Sequence, residues 1–221
     1  MQAFHNDQKI KDFYLNRVIE HKRADEIIQG KYWENGKGCA VGCTIHGSDH
    51  YAYELELGVP AWLAIVEDRI FEGLSKEEAK EFPEQFLTAI PVGVDLEQIK
   101  IPFLIFILES VDDKFDHEKN PKVKKVIDGV LSALKSGEKP TAAAAYTAAA
   151  AAYTAAYAAA YTDAAAAADA TDAAAAAAAD AADAAYAAAD AAYAAAYAAE
   201  ARRSAYTKFA KKLIELLENA K

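Results

Sequence analysis

TAAAAYTAAAAAYTAAYAAAYTDAAAAADATDAAAAAAADAADAAYAAADAAYAAAYAAE, residues 141–200, decides the fold class. Of these 60 residues 41 are alanine, nearly all the others are Tyr, Thr or Asp, and neither Gly nor Pro occurs after Pro140. Alanine loses no side-chain rotamer freedom on entering a helix, so the stretch reads as helix. Helical geometry gathers Tyr146, Tyr153, Tyr157, Tyr161, Tyr186, Tyr193 and Tyr197 within roughly 80° of one another, as one stripe. Thr147, Thr154, Asp172, Asp183 and Asp190 flank the stripe, and the remaining arc is almost bare alanine that another helix can approach closely. A straight helix of this length spans about 90 Å, beyond a compact domain of this size. Thr162-Asp163 and Thr171-Asp172 are good N-caps, and the tyrosines mirror one another about residue 175. A hairpin bent near 162–172 fits best, with Tyr153 near Tyr197 and Tyr157 near Tyr193; one long rod is the alternative.

Outward from the tail, the expected fold is all-α. A mostly helical bundle over residues 1–140 carries the large apolar side chains, and residues 141–221 form a helical tail packed on it. Beyond Glu200, Arg202, Arg203, Lys208, Lys211 and Lys212 alternate with Phe209, Leu213, Ile214, Leu216 and Leu217. This is an amphipathic helix suited to docking on the globular part, its cations matching the negative helix end. Glu215 and Glu218 oppose its reading as a membrane-surface helix.

Net charge over the 221 residues is −10, of which residues 1–140 carry −7. Such acidity repels phosphate backbones and argues against nucleic-acid binding. The opening MQAFHNDQKIKDF is polar and lacks a secretory leader, so the cytoplasm is the expected compartment. IPFLIFIL (101–108) is too short to span a bilayer, and the uncharged 142–162 lacks Leu, Ile, Val and Phe, so no membrane span is expected.

Taken in order, Asn6 or Asp7 caps a first helix with Ile10, Phe13, Tyr14, Val18, Ile27 and Ile28 at helical spacing, ending near Gly30. The Gly-rich ENGKGCAVGCTIHG (34–47) reads as the least regular stretch. Ser48 offers a cap for a helix over 48–57 with Tyr51, Leu55 and Leu57, and Pro60 suits the first turn of a helix through Phe71. Ser75 and Glu78 form a capping box for a helix that Pro83 interrupts. Asp95 caps a helix with Ile99, Ile101, Leu104, Ile105 and Leu108, for which Pro102 and the β-branched run leave a strand as the alternative. Residues 112–120 read as a charged loop, and Asn120-Pro121 begins a helix through Leu134 closed by Gly137.

Both cysteines and two of the five histidines fall in one 12-residue window: Cys39, Cys43, His46 and His50. Thiolate and imidazole are zinc-ligand types, and offsets of 4, 7 and 11 share a helix face, so zinc at these four is the one cofactor the sequence suggests. An 11-residue helical offset is about 16 Å, though, far more than one zinc bridges, so one helix supplies only two of the four. A site needs an irregular fold at Gly42 and Gly47, or help from His5, His21 or Glu54. The alternatives are a Cys-His nucleophile pair and a plain packing role, with thiols buried beside glycines. GKGCAVG lacks the order of a phosphate loop. Glu67-Asp68 with Glu72 reads as a solvated acidic face; Trp33 and Trp62 read as core anchors, with a pocket at Tyr32 and Trp33 as the alternative.

The stretches AFHND (3–7), YWENGKGCAVGCTIHGSDH (32–50), YELELGVPAWLAIVEDRIFEGL (53–74) and FLTAIPVGVDL (86–96), with the Ala, Tyr, Asp and Thr tail, resemble an uncharacterised bacterial protein family whose members are sometimes labelled immunity proteins of toxin systems. The resemblance carries over no catalytic residues and implies a non-enzymatic protein that binds a partner. The expected function is therefore an intracellular protein-binding module, immunity-like, with self-association through the Ala/Tyr faces as a further option. The alternative is a metal- or thiol-dependent enzyme using the Cys39/Cys43/His46/His50 cluster. An ice-binding role is disfavoured, because Thr141, Thr147, Thr154, Thr162 and Thr171 lack the fixed 11-residue spacing of such helices.

Overall fold

Asp7 begins the first helix: its carboxylate accepts from the Lys9 amide at 2.8 Å and caps α1 (Gln8–Arg23). The computed structural model describes residues 1–112, 121–136 and 199–221, and over them the fold is mostly helical. Tyr14 and Val18 face the core from α1, whereas Phe13, on the expected apolar face, is 55% exposed with the Arg17 guanidinium 4.6 Å from its ring. α1 stops at Arg23 rather than near Gly30, because Asp25 turns left-handed at φ 56°. Ile27 and Ile28 therefore leave the helix; the Ile28 amide donates to the Gly38 carbonyl at 2.8 Å and the Gly38 amide to Glu26 at 3.0 Å.

The Gly-rich passage is more regular than expected. It forms a hairpin, β1 (Trp33–Glu34) antiparallel to β2 (Lys37–Gly38), then a short α2 (Ala40–Ile45). Asn35 and Gly36 at the turn have φ of 53° and 81°, the left-handed pair that a two-residue hairpin turn requires. Arg17 of α1 donates to the Thr44 carbonyl at 2.8 Å, tying α2 to α1. A π-helical turn, Tyr53–Leu57, stands where a longer helix was expected. Asp49 rather than Ser48 accepts from the Tyr51 amide, at 3.0 Å. Tyr53 and Leu57 are buried, while Tyr51 and Leu55 point outward.

Pro60 precedes α3 (Ala61–Gly73), and the capping box of Ser75 and Glu78 opens α4 (Lys76–Ala89) as expected. Pro83 does not interrupt α4. The helix runs through it, held by a buried face of Ala79, Phe82, Pro83, Phe86 and Leu87. Asp95 caps a single turn, Leu96–Ile99, and α5 (Lys100–Asp112) follows with Pro102 in its first turn, which removes the strand alternative. α6 (Pro121–Ser136) is joined to α5 by the ion pair of Lys135 with Glu109 at 2.7 Å.

The chain divides into two compact units, residues 1–100 with 203–221, and residues 101–202. The terminal helix (Ala199–Glu218), expected to dock on the globular part, contributes its last turns to the first unit. Tyr206, Phe209, Leu213 and Leu217 are buried there, Thr207 donates to Glu78 at 2.9 Å, and a Cβ on Gly73 would meet the Tyr206 ring. No basic residue lies in its last turn, so the expected match of cations to the helix end is absent. The hairpin-or-rod question, the tyrosine stripe, the 113–120 loop and Gly137 lie outside the described residues. Among the described residues no helix is long and apolar enough to cross a membrane.

The amino-terminal end is threaded into the first unit. Phe4, His5 and Asn6 all adopt positive φ (54°, 50° and 59°), each costing about 1–2 kcal/mol for an L-residue. The Ala3 amide donates to Val94 at 2.9 Å, Gly93 returns a bond to Ala3 at 2.8 Å, and Phe4 is fully buried, which offsets that cost.

Candidate functional site

The window from Cys39 to His50 is not one helix, so its four candidate ligands do not converge. Cys39 is the N-cap of α2, its sulfur accepting from the Gly42 amide at 3.5 Å. Cys43, one turn on, is fully buried and donates to the Gly38 carbonyl at 3.3 Å. His46 ends α2 in the left-handed region at φ 54°, which redirects the chain, and His50 lies beyond that bend. The proposed set of Cys39, Cys43, His46 and His50 therefore splits three ways: Cys43 in the core, His46 on one flank, and Cys39 with His50 on the other. Gly42 sets the spacing, since a Cβ there would lie 1.5 Å from the Tyr32 carbonyl oxygen.

On one flank stand imidazoles. His46 Nε2 is 2.8 Å from His21 Nε2, and His21 Nδ1 is 2.6 Å from Glu26 Oε2. Two ring nitrogens at that distance share one proton, so one of them must lack its hydrogen. Trp33 stacks on His46 with centroids 4.3 Å apart and planes 13° from parallel. Burial first, then the neighbouring Arg17 and His21 charges, depress the His46 pKa. Of the other residues offered as partners, His5 meets the Leu55 carbonyl at 3.1 Å, and Glu54 accepts from the Ala61 amide at 2.9 Å at the start of α3.

On the other flank stand anions. Donor atoms of Cys39, Asp68 and Glu72 lie within 4.8 Å of one another. Tyr32 donates to Asp68 Oδ2 at 3.2 Å, and His50 Nε2 is 3.5 Å from that same oxygen. The two oxygens of Glu72 accept from the Gly30 amide, each at 3.0 Å. Burial, then Asp68, pushes the Cys39 thiol far above its usual range, and burial takes Cys43 to about 12. Burial also raises Glu72, opposed by the Gly30 amide.

The acidic run on α3, expected as a solvated face, is mixed: Glu67 is buried, Asp68 half-buried and Glu72 exposed. Glu67 is fully buried, with one oxygen accepting from Tyr53 at 2.7 Å and Oε1 without a partner; burial takes its pKa to about 8. Asp68 and Glu72 are one helical turn apart, which puts both carboxylates on one side of α3 toward Cys39. That four-residue spacing was visible in the sequence; its meeting with Cys39 depends on long-range packing and was not.

A thiol nucleophile is poorly served by this arrangement. The group beside Cys39 is an acid rather than an imidazole, and both thiols are buried and held protonated. Trp62 is an anchor as expected, donating to Glu97 at 2.7 Å. Trp33 serves the histidine pair, and an open depression of about 440 Å³ lies beside it, between Lys31–Glu34 and Gly47-Ser48.

A larger feature of the first unit lies elsewhere. A groove of about 540 Å³ runs between α4 and the terminal helix. Leu74, Phe82, Ala210 and Ile214 make its apolar floor, while Glu77, Glu78, Glu81, Glu215 and Glu218 surround it with Lys211, and Lys212 pairs with Glu215 at 2.7 Å. Glu78 and Glu81 are engaged by the Ser75 cap and by Lys22. Glu77 and Glu218 are exposed.

Neither a protein-family model, nor a curated protein, nor a solved structure matches the chain.

Proposed function

We propose that the protein is a non-enzymatic binding module, and that the groove between α4 and the terminal helix receives a basic amphipathic segment of a protein partner. The observation that carries this reading is the apolar floor within five glutamates. An apolar trough takes the apolar face of a helix, and a carboxylate rim selects Lys and Arg on its flanks. The alanine tail is itself acidic and so is poorly matched to this rim. An immunity-type inhibitor that neutralises a cytoplasmic toxin by contact meets the description, consistent with the family that the sequence resembles. The thiol-enzyme alternative loses support, because both sulfurs are buried and protonated.

A tagged full chain tests the reading by capture from its native host, run beside the double variant Glu77→Lys/Glu218→Lys, which leaves the Ser75 cap and the Lys22 ion pairs intact. The expected result is a basic partner retained by the wild type, lost by the variant and released by salt. Equal capture by both proteins, or no capture by either, overturns the assignment of the groove.

A further inference from the structure

We propose that Cys39, His50, Asp68 and Glu72 together form a binding site for a zinc-type divalent cation. The donor set is mixed thiolate, imidazole and carboxylate, which suits zinc and not calcium or magnesium. It arises from three places in the chain: the cap of α2, the bend after it, and two successive turns of α3.

Three observations on geometry support it. Tetrahedral zinc holds such donors about 3.3–3.6 Å apart, from its usual bond lengths. The donors of Cys39, Asp68 and Glu72 lie within 4.8 Å of one another, so closing those three on one ion needs shifts of about 1 Å, and His50 adjoins them through Asp68, its Nε2 standing 3.5 Å from Asp68 Oδ2. His50 Nε2 is shut off from water without a hydrogen-bond partner, and coordination supplies one. Each carboxylate is also held by a further donor, Asp68 by the Tyr32 hydroxyl and Glu72 by the Gly30 amide, as outer partners orient metal ligands.

The cation balances charge. Thiolate and two carboxylates carry −3, so a divalent ion leaves −1 where the metal-free cluster sets anions against one another. On binding, Cys39 gives its proton to solvent as the sulfur–metal bond forms. Four protein ligands leave no open position, so the ion is structural, clamping the bend after α2 and the Tyr32 segment to α3.

The test uses the purified full chain, stripped with a chelator and titrated with cobalt(II), then with zinc(II) in competition. The site predicts one cobalt per chain with a thiolate-to-metal charge-transfer band, displaced by zinc, and a melting temperature that rises with zinc. Cys39→Ser abolishes the band, whereas Cys43→Ser keeps it. Tyr32→Phe weakens zinc binding roughly 10- to 100-fold. Should Cys39→Ser fail to fold by circular dichroism, Glu72→Gln takes its place and weakens binding at least tenfold. The proposal is overturned by absence of the band in the wild type, by loss of the band in a folded Cys43→Ser protein with retention in Cys39→Ser, or by unchanged zinc affinity in Glu72→Gln.

Discussion

The two flanks of α2 share one twelve-residue window, Cys39 to His50, and have opposite characters. The flank of His46 closes on itself: His21, Glu26 and Trp33 supply hydrogen bonds and stacking, and each group has a partner within the protein. The flank of Cys39 does not. It gathers a thiol and two carboxylates, leaves an imidazole nitrogen without a hydrogen bond, and adjoins a buried Glu67 with an unpartnered oxygen. A polar cluster that satisfies its own groups is expected to act as fixed structure, whereas one that leaves groups wanting is where a ligand lowers the free energy. Proximity in sequence thus says little about shared chemistry; the bend at His46 separates them.

The most damaging substitution should strike both flanks at once. Gly42→Ala drives a methyl group into the Tyr32 carbonyl, and Tyr32 and Trp33 serve the two flanks in turn. We expect a loss of about 3 kcal/mol, at the upper end for overpacking, measured by denaturant unfolding. A neutral result breaks the idea that α2 positions both. Next, Tyr53→Phe acts on the anionic flank alone. It removes the one hydrogen bond to Glu67 and leaves both carboxyl oxygens buried without protein partners. The expected cost is about 1–3 kcal/mol, and the stacking of Trp33 on His46, followed by indole fluorescence, should be unchanged.

How much of this was legible beforehand follows the same division. Helix starts were readable wherever the signal is local: the Asp7 cap, the Ser75 and Glu78 box, Pro60 and Asp95 all act through neighbouring backbone groups. The end of α1 was misplaced because Ile27 and Ile28 keep helical spacing, while the backbone around Ile27 forms a bridge to Gly38 instead. Asn35-Gly36 was a readable hairpin signal that the surrounding glycines obscured. Cys39 and His50 were identified as candidate ligands from residue type. Of their companions, read as solvent-facing, Glu72 is exposed and Asp68 half-buried; that this side of α3 meets Cys39 depends on packing the sequence does not reveal.

Trp33→Ala tests the imidazole flank in isolation. The ring is half-buried and stacks on His46, so its loss should cost about 1–2 kcal/mol. If the flanks are independent, Cys39 stays as unreactive toward a thiol reagent as in the wild type. Reactivity rising in step with the stability loss shows that the flanks are coupled.

The smallest effect is expected from pH, and its sign follows from the direction of the His46 shift. Burial, then the charges of Arg17 and His21, hold its folded pKa below that of an ordinary imidazole, about 6.5, with Glu26 opposing them. As pH falls below about 6.5 the unfolded chain takes up a proton that folded His46 resists, so this contribution to stability is present above 6.5 and is lost as pH drops through the lowered folded value. His46→Asn removes the titration while keeping a residue suited to the left-handed cap at φ 54°. Unfolding free energies compared between pH 7 and pH 5 should therefore fall less for His46→Asn than for the wild type. An equal fall in both proteins assigns the acid sensitivity to other groups, and leaves the histidine pair as packing alone.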